Sequence, residues 1–203
     1  DMRLRPSGRQ GPVATSLASF RRYQAEDAWT WEHLALTRSR VVAGPKPLVD
    51  KVALTIDEVL QRPYEATKVL SDARDMRRRL SEAHQAADAT PWEVKTGSGR
   101  MMDIELLAQS GALIHNLSGL RQPRRMLTAL ADLGWLDSDQ ARELIEAHSR
   151  LAALQQIGRL ASDHTIDLQT GGAGLIRLAL SVTGEADIET LRARLTQSAA
   201  RAV

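Results

Sequence analysis

The chain has 203 residues with 27 basic and 25 acidic side chains, a net charge of +2, and 43% hydrophobic but only 3% aromatic residues. That length and apolar content build one or two globular domains whose core must be filled by Leu, Ala, Val and Ile. The absence of cysteine excludes disulfides and thiolate metal sites and fits a reducing compartment such as the cytoplasm, and no apolar run is long enough for a membrane span.

Charge is uneven. Residues 1–50 carry eight basic and five acidic groups, a local +3 that leaves the remainder near neutral. Such an asymmetry favours a local anionic ligand over a broad nucleic-acid footprint.

The opening residues, DMRLRPSGRQGPVAT, alternate so that Asp1, Arg3 and Arg5 face one side of a strand. A carboxylate with two guanidiniums suits a metal-bound polyphosphate, and equally an exposed hairpin with an Asp/Arg pair. The Pro-Ser-Gly-Arg-Gln-Gly-Pro stretch reads as a turn, with residues 13–15 returning as a second strand.

Beyond this hairpin the chain reads almost wholly as helix. Ser16 caps a run through about residue 27, and residues 31–42 continue helically, with Leu34 and Arg38 on one face. Gly44-Pro45-Lys46-Pro47 is a break, after which Val49, Val52, Ala53, Ile56, Val59 and Leu60 trace an apolar stripe ended by Pro63. A longer stripe runs over residues 66–87. Its Arg77-Arg78-Arg79 run reads as a solvated face, because two of the three fall off the stripe.

Residues 92–116 form the second candidate region. Lys95, a Gly-Ser-Gly turn and a helix opening near Met102 place backbone N–H groups beside Asp103. Asp103 and Glu105 lie about 200° apart around such a helix, so they do not chelate one ion together unless the helix starts between them. An acid in a first helical turn, stabilised by the helix dipole, is one reading of Asp103, and a substrate-side or metal-side role is the other.

In the tail, residues 124–133 form a helix stopped by Gly134, and Asp137 caps a long helix over about 139–161 with Leu144, Ile145, His148, Leu151, Ala152 and Gln155 inward. His148 reads as an interior histidine. Gly171, Gly172 and Gly174 follow no strand and lack the Lys-Ser/Thr of a phosphate loop, so they lead into a segment over 175–182. A final helix over about 188–200 is anchored by Leu191 and Leu195.

The opening stretch resembles the glutamine synthetase adenylyltransferase family, large bacterial enzymes that attach AMP to a tyrosine of glutamine synthetase and remove it again. Asp1, Arg3, Leu4, Arg5 and Pro6, then Gly8 and Gly11, match the DxRLRP segment and its glycine turn. Ser7, Thr15, Ser16, Phe20, Tyr23, Gln24 and the run Ala28-Trp29-Thr30-Trp31-Glu32-His33 look like the C-terminal, adenylylating version. Lys95, Gly99, Asp103, Ile104, Glu105 and Gln109 match a second family segment, with Arg100 and Leu106 as departures. The Asp-x-Asp strand that carries the family's first two metal-binding acids is not in the chain; Asp137-Ser138-Asp139 has the wrong context, which leaves the chain with at most one of those acids.

The resemblance implies a mostly α fold: residues 1–44 as the end of a nucleotidyltransferase domain with a short β-hairpin remnant, and 45–203 as a bundle of about six helices. It implies transfer of AMP from ATP with Mg²⁺, Asp1 as the catalytic, metal-holding acid, and Arg3, Arg5, Lys95 and Asp103 as the nucleotide-binding set, in which Lys95, like Arg38 and Arg40, is a weaker candidate for the triphosphate than Arg3 and Arg5. Glutamine synthetase and the PII signalling protein are the implied partners, with no nucleic acid and no membrane. The competing reading is a non-catalytic helical module that recognises one of those proteins; an RNA-binding module is disfavoured because the basic residues are not gathered with exposed aromatics.

Overall fold

The computed structural model describes residues 11–83, 90–161 and 166–202. Among them are nine helices and no strand: α1 (Leu17–Glu26), α2 (Thr30–Leu36), α3 (Lys46–Leu60), α4 (Ala66–Ala83), α5 (Met101–Ile114), α6 (Pro123–Asp132), α7 (Ser138–Ala161), α8 (Ala173–Thr183) and α9 (Ile188–Ala202). The mostly helical expectation holds, and the hairpin remnant does not. The first arm of that hairpin lies outside the described residues. The second, at residues 13–15, is not a strand: Pro12 lacks an N–H for a ladder, Val13 is 65% exposed, and Ser16 is already committed as the N-cap of α1, accepting from the Ser19 N–H at 3.2 Å.

Local chemistry accounts for most helix ends. Asp137 accepts from the N–H groups of Asp139 and Gln140 at 2.9 and 3.1 Å, capping α7 as its spacing implies. Glu65 and Asp187 do the same for α4 and α9. Gly134 (φ 70°) follows α6 and Gly184 (φ 72°) closes α8 in the left-handed region open to glycine. The expected helix over 31–42 stops at Leu36. There the amides of Arg38 and Ser39 bond to carbonyls only three residues back, and the Thr37 hydroxyl takes the Leu34 carbonyl at 2.6 Å. Val41, Val42 and Gly44-Pro45 offer nothing to resume it.

The chain divides into two compact units, Asp1–Ala73 with Gln109–Gln122, and Arg74–Ala108 with Pro123–Val203. In the first, α1 and α2 pack on α3, and Leu34, Ile56, Val59, Leu60 and Val69 are each at most 5% exposed. In the second, α7 is the central element, packed by α6, α8 and α9. Its buried positions are Ala141, Leu144, Ala147, Leu151, Leu154 and Ile157, a stripe with the α-helical period. The expected stripe through Ile145, Ala152 and Gln155 is therefore rotated from the observed one. Leu191 and Leu195 anchor α9 as expected, at 0% and 1% exposure. No helix among the described residues is long and apolar enough to cross a membrane.

Candidate functional site

Asp1, Arg3 and Arg5 lie outside the described residues. Lys95 and Asp103 lie in the second unit, on the connection into α5 and in its first turn.

That connection is built from carboxylates bonded to backbone amides. Glu93 accepts from the N–H groups of Lys95 (3.1 Å), Thr96 (2.6 Å) and Gly97 (2.8 Å), so three donors that would otherwise form an anion nest already hold an internal anion. Asp103 accepts from the Gly99 N–H at 2.6 Å and from the guanidinium of Arg77, through Nε and, at 3.3 Å, through the second nitrogen. The Arg77 and Asp103 side chains are only 17% and 14% exposed, which makes this a largely desolvated bidentate pair. Lys95 is exposed. Arg78 and Arg79 are exposed, so the expected solvated face is right for them and wrong for Arg77.

Glu105 points elsewhere, as two residues of separation on a helix requires: its carboxylate lies 3.5 Å from His148 Nε2. His148 is interior, and the acid near it comes from α5, a relation invisible within the sequence of α7. Among the described residues no group of three or more His, Asp or Glu side chains is arranged to hold a metal ion.

The tryptophan motif folds in the first unit. Tyr23 Oη donates to both Glu32 carboxylate oxygens, at 2.8 and 3.1 Å, while Glu32 reaches back to the Trp29 N–H at 2.9 Å and caps α2. The Gln24 carbonyl receives Arg62 at 2.8 Å and lies 3.3 Å from His33 Nε2, and the His33 ring meets Tyr64 edge-on at 5.6 Å. Tyr23, Glu32 and His33 are thus engaged between α1 and α2 and Thr30 donates to Asp72 of α4, leaving Trp29 and Trp31 68% and 41% exposed. Burial holds the His33 pKa below its ordinary value, with Arg62 acting in the same direction and the Gln24 carbonyl and Glu32 opposing; burial likewise pushes Tyr64 up to about 12.

A groove of about 690 Å³ in the second unit is lined by α7 and α9. Glu143 on α7 pairs with Arg201 on α9, and Glu185 lies 3.2 Å from Arg150 and 3.6 Å from Arg194. The Arg150–Glu185 and Glu143–Arg201 pairs left no signal in the sequence, because their members are 35 and 58 residues apart (150 to 185, 143 to 201).

Residues 1–54 match the family model of glutamate-ammonia ligase adenylyltransferase, and residues 72–202 match that of GlnD PII-uridylyltransferase. The chain is 40% identical, over its whole length, to the bifunctional glutamine synthetase adenylyltransferase/adenylyl-removing enzyme of Bradyrhizobium diazoefficiens. It belongs to the glutamine synthetase adenylyltransferase family. Relatives of the same description from Rhodopseudomonas palustris (37% identical, all of this chain) and Xanthobacter autotrophicus (39%, 99% of this chain) are similarly close. The chain spans about a fifth of the length of these relatives, 20–21%.

Two predictions arise from this geometry. Because the folded pKa of His33 lies below its ordinary value of 6.5, its contribution to stability is present above 6.5 and is lost as pH falls. Urea unfolding between about pH 7.5 and about pH 5.5 is expected to show a loss of stability that His33→Gln reduces; an unchanged slope would refute this. Asp103→Asn is expected to cost about 3 kcal/mol by leaving Arg77 desolvated and unpaired, while Arg77→Met combined with Asp103→Leu costs much less than the sum of the single changes. Equal costs for the double variant and the summed single variants would disprove the pairing.

Proposed function

We propose that the chain is part of an enzyme that transfers AMP from ATP to a tyrosine of glutamine synthetase. The observation that carries this reading is the DxRLRP segment at Asp1–Pro6, within the 1–54 match to an adenylyltransferase model and a whole-chain identity of up to 40% to enzymes of that description. In this proposal the tyrosine hydroxyl attacks the α-phosphorus of ATP and pyrophosphate leaves. Arg3 and Arg5 neutralise the triphosphate with planar, bidentate donors, and Lys95 adds a point charge. Asp103 belongs to the same region as the acid that shapes the Lys95 turn, since its oxygens are taken by Arg77 and the Gly99 N–H.

The described residues do not fit a magnesium site, because Asp103 and Glu105 are held apart by their separate partners. The proposal therefore assigns them no metal. It leaves Mg²⁺ to Asp1, acting with acids elsewhere in the whole enzyme.

A second reading has its own support. Residues 72–202 are similar to an enzyme whose name says that it acts on PII, which makes the helical segment from α4 onward a candidate for recognising PII rather than nucleotide.

In the full-length enzyme Asp1→Asn is expected to lower the adenylylation rate by orders of magnitude while the melting temperature stays within a few degrees, since the change removes a charge and not volume. A near-normal rate would end the assignment of Asp1. Calorimetric titration of the 203-residue chain separates the two readings: binding of PII without binding of ATP favours the recognition module, and binding of ATP alone favours the nucleotide site.

A further inference from the structure

The turn that carries Lys95 meets α9 at two consecutive residues. Gly99 has a φ of 67°, a conformation open to glycine, and a Cβ placed there would land on the carbonyl of Ala199. The next residue, Arg100, is only 8% exposed, and its guanidinium donates to the carbonyl of Leu195 at 3.1 Å. Leu195 is itself buried at 1%, so this contact is made at the anchored face of α9.

A buried guanidinium is costly unless it is hydrogen-bonded, and the one at Arg100 is turned toward α9. That bond commits the guanidinium to α9, while Lys95, five residues earlier, is exposed. The rest of the turn is equally determined: Glu93 takes the amides of residues 95–97, and Asp103 takes that of Gly99.

We propose that α9 is the element that positions Lys95, with Arg100 as a positioning residue that clamps the turn to the Leu195 carbonyl and acts through Lys95 rather than on the nucleotide. The inference rests on the reading above in which Lys95 contacts the phosphates of ATP. Gly99 supplies the close approach and Arg100 the directional bond. Because Arg201 ties α9 to Glu143 of α7, the clamp is braced from the central helix of the unit.

The test uses the full-length enzyme and the variants Lys95→Gln, Arg100→Met, Arg100→Lys and the double Lys95→Gln/Arg100→Met. Readouts are KM for ATP, kcat, hydrogen exchange of the amides of residues 95–100, and the melting temperature. Arg100→Met is expected to speed exchange of those amides and raise KM by about tenfold each, the loss typical of one charged hydrogen bond, with kcat little changed. Arg100→Lys is expected to restore part of both, and Arg100→Met is expected to add nothing to KM once Lys95 is Gln. Unchanged exchange and KM in Arg100→Met, while Lys95→Gln raises KM, would overturn the clamp and leave the role of Lys95 standing. An additive KM effect in the double variant would also overturn it, since Arg100 would then act on the nucleotide itself. A normal KM for Lys95→Gln would remove the phosphate reading of Lys95, and the proposal with it.

Discussion

The carboxylate of Asp103 is the constraint on which the Lys95 region depends. It accepts a backbone N–H from the turn that precedes its own helix and a bidentate guanidinium from α4, and it does so with its side chain only 14% exposed. At that burial both partners are required, because a charge taken out of water and left unpaired costs more than most single interactions contribute. The position of Gly99 follows from this contact, and from Gly99 follows the approach of α9. Glu93 adds a second carboxylate, so that the amides of both glycines of the Gly-Ser-Gly turn are satisfied by acids of the chain itself. An external phosphate would have to compete with Glu93 for the same N–H groups. Lys95, exposed on the same turn, carries a charge that could meet an anion.

The first unit uses polar groups in a comparable way. Tyr23, Gln24, Glu32, His33 and Arg62 form a connected set in which each side chain or carbonyl completes another. Burial lowers the His33 pKa and so favours its neutral form at neutral pH, and it raises that of Tyr64, which is neutral there in any case. A rigid scaffold beneath two exposed tryptophans is a different object from a tryptophan core. The polar residues of the motif hold the backbone, and the indoles are left on the surface.

Cross-helix ion pairs tie the second unit together. Glu185, between α8 and α9, is 9% exposed and lies near Arg150 of α7 and Arg194 of α9, and Arg201 of α9 pairs with Glu143 of α7, so two sets of charges join α7 and α9. A net charge near zero conceals this, because it counts charges without saying which of them meet.

Much of this was legible in the sequence wherever the relevant physics is local. The periodicity of Val49–Leu60 and of residues 66–83, the caps at Ser16 and Asp137, the stop at Gly134 and the anchors Leu191 and Leu195 each depend on residues within a turn or two of one another, and the structure bears them out; the rest of the stripe expected to residue 87 lies outside the described residues. The motif at residues 1–6 and the segment from Lys95 to Gln109 were sufficient to recognise the family, because residue type and spacing are what a resemblance consists of. The rotated inner face of α7, the pairing of Arg77 with Asp103, the acid beside His148 and the docking of Arg100 on α9 were decided only by the tertiary structure. Each depends on which distant helix supplies the missing hydrogen-bond partner or apolar surface. A buried charge or a half-apolar helix face has several locally acceptable solutions, and the one adopted is the one that long-range packing leaves desolvated and paired.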